Sequence, residues 1–270
     1  MPPHNPIQRR SYLTGLGAAG VGLTAGCLDA FGGDDPAGTA VLDRPEQYDM
    51  LREARDNGDL AHPIHGDELP DVTAPCTIRD RSVATSDFEG ERHTMYTFIF
   101  SRCHGACPGL VSGLRHVQAD AIDEGYVDDI GLVTVTFDPE YDTADVLYEY
   151  GERMGVDYDA DNWYFIRPET EEDAHHYVEE EFGCYFARNP EYDGDDEHHD
   201  DDGGGHDDDD GNHDDDDHGS DDGGDMEMAF MHTSMIVLAN ADGYVERTYV
   251  GEVPTPNVLI DDASTLVDRW

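Results

Sequence analysis

The sequence contains no lysine, and all 15 of its basic residues are arginine. Against these stand 63 aspartate and glutamate residues, which give a formal net charge of -48 at pH 7. This charge excludes binding to nucleic acid or to an anionic membrane surface by electrostatic attraction. The excess is not confined to one tail, because acids are also dense between Asp43 and Glu91. Self-repulsion of this size is a known device of halophiles, so we expect a salt-loving source.

The N-terminal region lacks an apolar run long enough for a stable transmembrane helix. Its glycine-rich, weakly apolar stretch follows Arg9-Arg10 and ends at Cys27, which resembles a twin-arginine export signal running into a lipobox. We therefore expect residues 1–27 to be a signal and Cys27 to carry lipid. Export by the twin-arginine route would leave the protein lipid-anchored on the outer face of the cytoplasmic membrane. Residues 28–58 are predicted to be an acidic tether.

Cysteine is scarce, and the five residues are Cys27, Cys76, Cys103, Cys107 and Cys184. An odd number does not suggest a complete disulfide framework. Cys103 and Cys107 lie between Met95–Phe100, which predicts a buried strand, and Pro108, a residue favoured in the first turn of a helix. Thiols at such a junction face the positive end of the helix dipole, which favours the thiolate. The thiolate is the form that ligates metals and attacks disulfides.

The spacing of Cys103 and Cys107 differs from the usual redox pair of a thioredoxin-like site, in which two residues separate the cysteines. Residues i and i+4 lie on the same face of a helix, so these two sulfurs can converge on one ion. Two thiolates select Cu(I) or Zn over hard cations but leave the coordination sphere incomplete. A third ligand should come from elsewhere, and the candidate is His232, just ahead of the apolar run Ser234–Leu238.

Strands and helices alternate along the rest of the sequence. Strands are predicted at Ile130–Phe137 and Trp163–Arg167, and helices at about Pro108–Glu124 and at Glu171–Phe182. This alternation indicates an α/β fold with parallel strands and helical crossovers, preceded by a hairpin within residues 60–90.

Asp138 follows the strand that starts at Ile130, at the sheet edge where open α/β folds place their sites. A plain turn role is an equal alternative for Asp138. Either Asp142 or Thr143 can cap the next helix.

The C-terminal part is predicted to hold a hairpin, Met228–Tyr249, and a closing helix, Pro256–Trp270. The helix would turn four residues towards the core: Val258, Leu259, Leu266 and Val267. Buried positions are also predicted for Cys76, Cys184, Met231 and Met235, and solvated positions for His62, His65, His104 and His116.

Residues 191–225 interrupt the predicted domain, which comprises residues 59–190 and 226–270. This Asp/His/Gly-rich segment has no apolar residue after Tyr192, so it cannot form a core and is predicted to be disordered. Its histidines are His198, His199, His206, His213 and His218. One hypothesis is an arm that captures copper or nickel near Cys103. We favour the other, a solvated low-complexity loop, because compositional patterns alone are weak evidence.

Three segments together resemble the Sco/SenC family: Cys103-His-Gly-Ala-Cys107-Pro108, the segment VTFDPEYDT at residues 135–143, and His232-Thr-Ser. Members of that family are thioredoxin-fold copper proteins that help to assemble the binuclear copper site of cytochrome oxidase. The resemblance implies a thioredoxin-like fold and copper, as Cu(I) or Cu(II), on Cys103, Cys107 and His232. It also implies a place for Asp138 beside the metal, orienting a ligand or stabilising charge.

The resemblance supports two functions. The first is a metallochaperone that delivers copper to a terminal oxidase, with the copper-site subunit of that oxidase as partner. The second is a thiol–disulfide reductase, an enzyme in which Cys103 attacks a disulfide of the oxidase copper site and Cys107 resolves the mixed disulfide. The spacing of the cysteines and the distal His232 favour metal binding. No recognisable peroxide-binding pattern supports a peroxidase.

Overall fold

The computed structural model describes residues 40–190 and 229–270. In chain order the strands are β1 (Thr73–Cys76), β2 (Arg81–Ala84), β3 (His93–Ile99), β4 (Ile130–Thr136), β5 (Trp163–Ile166), β6 (Phe186–Arg188), β7 (Phe230–His232), β8 (Met235–Ala239) and β9 (Val245–Val250). The helices are α1 (Tyr48–Asp56), α2 (Cys107–Glu124), α3 (Ala144–Met154), α4 (Glu171–Ala174) and α5 (Pro256–Arg269). Within these residues, seven strands form one sheet in the order β2-β1-β5-β4-β3-β8-β9.

The centre of the sheet is parallel. β3 pairs with β4, and β4 with β5, in parallel register. β8 pairs with β3, and β9 with β8, in antiparallel register. Every residue of β3 and β4 is buried, as expected for strands that have both faces covered. β1 and β2 form the predicted N-terminal hairpin, which joins the edge of β5. The predicted α/β architecture is therefore confirmed.

The helices that follow β3 and β4 begin and end at residues with clear local roles. α2 has proline in its first turn and ends at Gly125, whose φ of 86° gives the left-handed conformation that glycine adopts readily. α3 starts after Thr143, whose hydroxyl accepts a hydrogen bond from the Val146 N–H. The helix predicted at Glu171–Phe182 begins as α4 and continues as a π-helix, His175–Glu181. In the described part of the chain, no helix has both the length and the apolarity that crossing a membrane requires.

The closing helix α5 packs against α2. Leu259 and Leu266 are buried as predicted, and Leu259 lies where a Cβ on Gly113 would meet it. Val258 is 44% exposed, so its predicted core position is wrong. It lies one residue outside the buried stripe of the helix, and its side chain faces solvent.

A second, two-stranded sheet contains β6 and β7. Its register pairs Phe186 with His232 and Arg188 with Phe230. The predicted hairpin Met228–Tyr249 is therefore wrong in its first part, because β7 leaves it to pair with β6 and only β8 and β9 form the hairpin. The predicted insertion, residues 191–225, lies outside the described residues.

The folded domain includes part of the segment that was predicted to be a tether, residues 28–58. The backbone N–H groups of Val41 and Leu42 donate to the buried carboxylate of Glu246 at 2.7 and 2.9 Å. Leu42 is itself buried. Residues from Val41 onwards are thus part of the folded domain, since a glutamate on β9 binds their backbone.

Candidate metal centre

Three side chains from distant parts of the chain converge at one end of the sheet. Cys103 lies in the loop after β3, Cys107 is the first residue of α2, and His232 is the last residue of β7. The Nε2 atom of His232 lies 3.7 Å from Sγ of Cys103 and 3.5 Å from Sγ of Cys107. All three donor atoms lie within 4.8 Å of one another. Both cysteines are buried free thiols, and His232 is half-buried.

The imidazole of His232 is oriented by its backbone and by aromatic rings. Its Nδ1 atom lies 3.3 Å from the carbonyl oxygen of Thr233. In the tautomer protonated at Nδ1, this N–H donates to the carbonyl and Nε2 keeps its lone pair for the site. The rings of Phe100 and Phe137 lie 5.7 and 5.3 Å from the imidazole, centroid to centroid. In this tautomer His232 can bind a metal through Nε2. Without a metal, an Nε2–H can instead donate to the Cys103 sulfur.

The shell behind the site is apolar. Phe100, Phe137, Phe186 and Phe230 are all fully buried, and Phe137 stacks on Phe186 with a centroid distance of 4.7 Å. Such a shell limits the access of water and lowers the local dielectric constant, which tunes the properties of a bound metal.

The two thiols have different proton affinities. A hydrogen bond with Cys107 is the largest cause that lowers the pKa of Cys103, to about 4, and His232 acts in the same direction. Burial, followed by the adjacent Cys103 sulfur, raises the pKa of Cys107 well above its ordinary value. At neutral pH the metal-free pair therefore holds a thiolate on Cys103 and a thiol on Cys107.

This donor set suits a soft ion. Among the described residues it is the one group of three or more histidines, cysteines or acids whose donor atoms converge. Thiolates select Cu(I) and Zn, and structural zinc sites normally use four protein ligands. Two sulfurs and one nitrogen leave such a zinc site incomplete, so the set favours Cu(I).

Comparison with known proteins points to one family. Residues 76–202 match the SCO1/SenC family. This segment contains Cys103 and Cys107. No curated protein sequence matches the chain.

Solved structures show that the chain has the fold of Sco proteins. A SCO1/SenC family lipoprotein from Bacillus anthracis is 17% identical, with 74% of this chain and 95% of that chain covered and a TM-score of 0.52. Arabidopsis thaliana ScoI with copper bound is 15% identical over 76% and 100% of the two chains, with a TM-score of 0.52. Yeast Sco1 with copper bound is 14% identical over 76% and 91%, with the same TM-score. The predicted thioredoxin-like fold is confirmed.

Asp138 lies near the three donor residues but is not one of them. Its buried carboxylate pairs with Arg102 at 2.6 Å and lies 4.0 Å from the guanidinium of Arg188. No hydrogen bond joins Asp138 to Cys103 or His232 in the described structure. Of these two arginines, Arg102 immediately precedes Cys103, and Arg188 lies on β6, which pairs with the strand of His232.

Asp142 is the functional candidate that the sequence did not identify. Its carboxylate accepts hydrogen bonds from the N–H and hydroxyl of Ser101 and from the hydroxyl of Thr136. The sequence suggested only a capping role, which the structure gives to Thr143. Its position four residues after Asp138 in the family segment was the available signal.

The other predicted positions are partly correct. Cys76 and Cys184 are buried, and His104 and His116 are exposed, as predicted. Two predictions are wrong: His65 is buried, with Nδ1 3.0 Å from the Glu246 carbonyl oxygen, and Met231 is 57% exposed. Met231 alternates with the inward-facing His232 along β7, so it points outwards. Cys27 and the five histidines of the insertion lie outside the described residues.

Proposed function

We propose that this protein carries copper as its cargo and delivers it to the binuclear copper site of a cytochrome c oxidase-type terminal oxidase. The main support for this proposal is that two free thiols and one imidazole converge at one buried position in a Sco fold. The copper in Arabidopsis ScoI and yeast Sco1 supports copper as the cargo. A further structural relative, BsSco, is described as a member of the Sco family of cytochrome c oxidase assembly proteins, which supports the oxidase as recipient.

The residues account for both capture and release. Cys103 is already a thiolate, so capture of Cu(I) displaces one proton, from Cys107. His232 adds a neutral nitrogen, and its half-buried position leaves the site accessible on that side. A recipient cysteine or histidine can approach there and exchange with His232, while both sulfurs stay on the ion.

The test uses the full chain, reduced, in concentrated salt. Cu(I) is titrated against a competing chelator, and the loaded protein is then mixed with the reduced, metal-free copper domain of an oxidase. We expect one tightly bound ion per chain, loss of binding when Cys103 and Cys107 are both replaced by serine, and copper bound to the recipient once the two proteins have been separated. Binding no tighter than that of the double serine variant would refute the proposal.

A second function, reduction of a disulfide in the oxidase copper site, is favoured by the unequal thiols. Cys103 thiolate would attack one sulfur of the disulfide and release the other as a thiolate that takes up a proton. Cys107 would then lose its proton and attack the Cys103 sulfur. The recipient disulfide gains two electrons, and a Cys103–Cys107 disulfide forms. BsSco, in which a disulfide switch has been identified, supports this chemistry.

The two functions separate in one assay. Cys107→Ser cannot resolve a mixed disulfide, so it should accumulate a covalent adduct through Cys103 if the protein is a reductase. Copper transfer from the unaltered protein to a recipient that is already reduced, without any adduct in the variant assay, supports the chaperone.

We further propose that the protein acts at the outer face of the cytoplasmic membrane, attached through lipid on Cys27. The sequence pattern Arg9-Arg10 and the lipobox ending at Cys27 support this. Replacing Cys27 with serine should move the protein from the membrane fraction to the soluble fraction. Equal membrane association of both forms would contradict the anchor.

A further inference from the structure

We propose that Asp142 is a positioning residue for the metal centre. Its buried carboxylate fixes the loop that carries Cys103, so that the Cys103 sulfur faces Cys107 and His232 before an ion arrives. The inference rests on the proposed copper function and extends it to a residue that contacts none of the three donors.

Cys103 is the donor whose position most needs support. Cys107 is held by α2, and His232 by the pairing of β7 with β6. Cys103 lies in residues 100–106, between β3 and α2, where the chain is neither helix nor strand. Its own backbone N–H donates to the Phe100 carbonyl at 3.1 Å, which forms a single turn. The site geometry therefore depends on what holds this loop.

Asp142 ties the loop to the sheet. Its carboxylate accepts from the Ser101 N–H at 3.1 Å and from the Ser101 hydroxyl, two residues before Cys103. The same carboxylate accepts from the hydroxyl of Thr136, the last residue of β4. One side chain thus joins the end of β4 to the start of the cysteine loop.

The chemistry of this contact requires a carboxylate. Asp142 is fully buried, and the described residues provide no ion pair for it. Burying a carboxylate without a counter-charge is costly, so three accepted hydrogen bonds have to offset that cost. An asparagine amide has one acceptor oxygen and would present N–H groups to some of these donors. The backbone around Asp142 is held separately, because Arg167 donates to the carbonyl groups of Asp142 and Pro139.

The test compares Asp142→Asn with Asp145→Asn in the full chain, in concentrated salt at neutral pH. Asp145 lies exposed in the first turn of α3, so its replacement makes the same charge change without touching the loop. Hydrogen exchange of residues 100–106 is measured in the reduced, metal-free protein, and Cu(I) affinity by chelator competition. For Asp142→Asn we expect exchange in this segment to accelerate about tenfold or more. We also expect Cu(I) affinity to fall, by at most the ~10–100-fold that loss of a residue hydrogen-bonded to a metal ligand costs. Asp145→Asn should match the unaltered protein in both.

The outcomes separate this inference from the copper function. Unchanged exchange in residues 100–106, or unchanged affinity despite faster exchange, overturns the role of Asp142 and leaves the copper function standing. Acceleration throughout the domain would show a general loss of stability and also overturns it. If the unaltered protein lacks tight Cu(I) binding, the copper function fails, and local exchange alone decides whether Asp142 orders the loop. If Asp142→Asn does not fold, Ser101→Ala is tested in its place, because it removes only the hydroxyl donor to Asp142. The same local changes in hydrogen exchange and Cu(I) affinity are expected, but they should be smaller.

Discussion

The Nε2 atom of His232 lies 3.5 Å from the Cys107 sulfur, although 125 positions separate the two residues in the sequence. The contact exists because β7 pairs with β6, and the π-helix and β6 follow the central strands. A short two-stranded sheet outside the main one therefore delivers the only nitrogen ligand among the three convergent donors. The metal centre is consequently sensitive to the position of this small sheet.

Replacing His232 with alanine should weaken Cu(I) binding beyond the ~10–100-fold cost of losing an outer-shell partner, because a direct ligand is lost. His104→Ala is the matched control, since His104 is exposed and adjacent to Cys103. Chelator competition at fixed pH and salt measures both affinities. Equal affinities for the two variants would show that His232 does not bind the ion.

The low pKa of Cys103 should be visible as thiolate absorbance in the ultraviolet. Because the pKa is lowered to about 4, chiefly by the hydrogen bond with Cys107, thiolate should persist in the metal-free protein at about pH 6. Cys107→Ala removes that donor, so the Cys103 pKa should rise towards its ordinary value and the absorbance at about pH 6 should fall. Cys103→Ala is the control for the signal. Undiminished absorbance in Cys107→Ala would mean that Cys107 is not the chief cause of the low pKa of Cys103.

Local patterns in the sequence were sufficient to predict the central fold. Each of these elements is encoded by consecutive residues. The apolar runs predicted β3, β4 and β8, Cys107-Pro108 predicted the start of α2, and the structure contains all four elements. The three-ligand set followed from soft-donor chemistry together with the family resemblance.

Features that depend on contacts between distant residues were missed. β6 has only three residues and pairs with β7 across the insertion, so no periodicity reveals it. The burial of His65 depends on its contact with the backbone carbonyl of Glu246. The backbone N–H of Leu42 is held by the carboxylate of the same glutamate. Asp142 resembled a helix cap because its actual partners, Ser101 and Thr136, lie on other elements. Polar contacts of this kind carry no local signature.

Asp142 should make stability depend on pH in a defined window. Burial raises its pKa to about 6 from the ordinary 3.8, although the hydrogen bonds from Ser101 and Thr136 act in the opposite direction. Between about pH 4 and 6 the folded protein keeps a proton that the unfolded chain has released, so this group lowers the free energy of unfolding as pH rises. A difference of about two pKa units corresponds to a penalty of about 3 kcal/mol at most, present in full above about pH 6.

Asp142→Asn removes this titration. Its free energy of unfolding relative to the unaltered protein should therefore increase from about pH 4 to about pH 6 and then remain constant. Denaturant unfolding in concentrated salt measures the difference, and Asp145→Asn corrects for the loss of one negative charge. A difference that does not vary with pH would contradict the raised pKa.

Gly183 should be intolerant of a side chain, because it connects the π-helix to β6. Its φ is +68°, and a Cβ at this position would lie 2.5 Å from backbone atoms of Ala61 and His62. Gly125 is the control: its φ is +86°, but a Cβ there meets nothing within 4 Å. The left-handed conformation costs alanine about 1–2 kcal/mol at both sites, and overpacking adds about 1–3 kcal/mol at Gly183 alone. Denaturant unfolding should show the larger loss for Gly183→Ala. If both variants lose the same free energy of unfolding, the backbone of Ala61 and His62 moves aside. Close packing against Gly183 would then not determine the position of the segment that leads into β6.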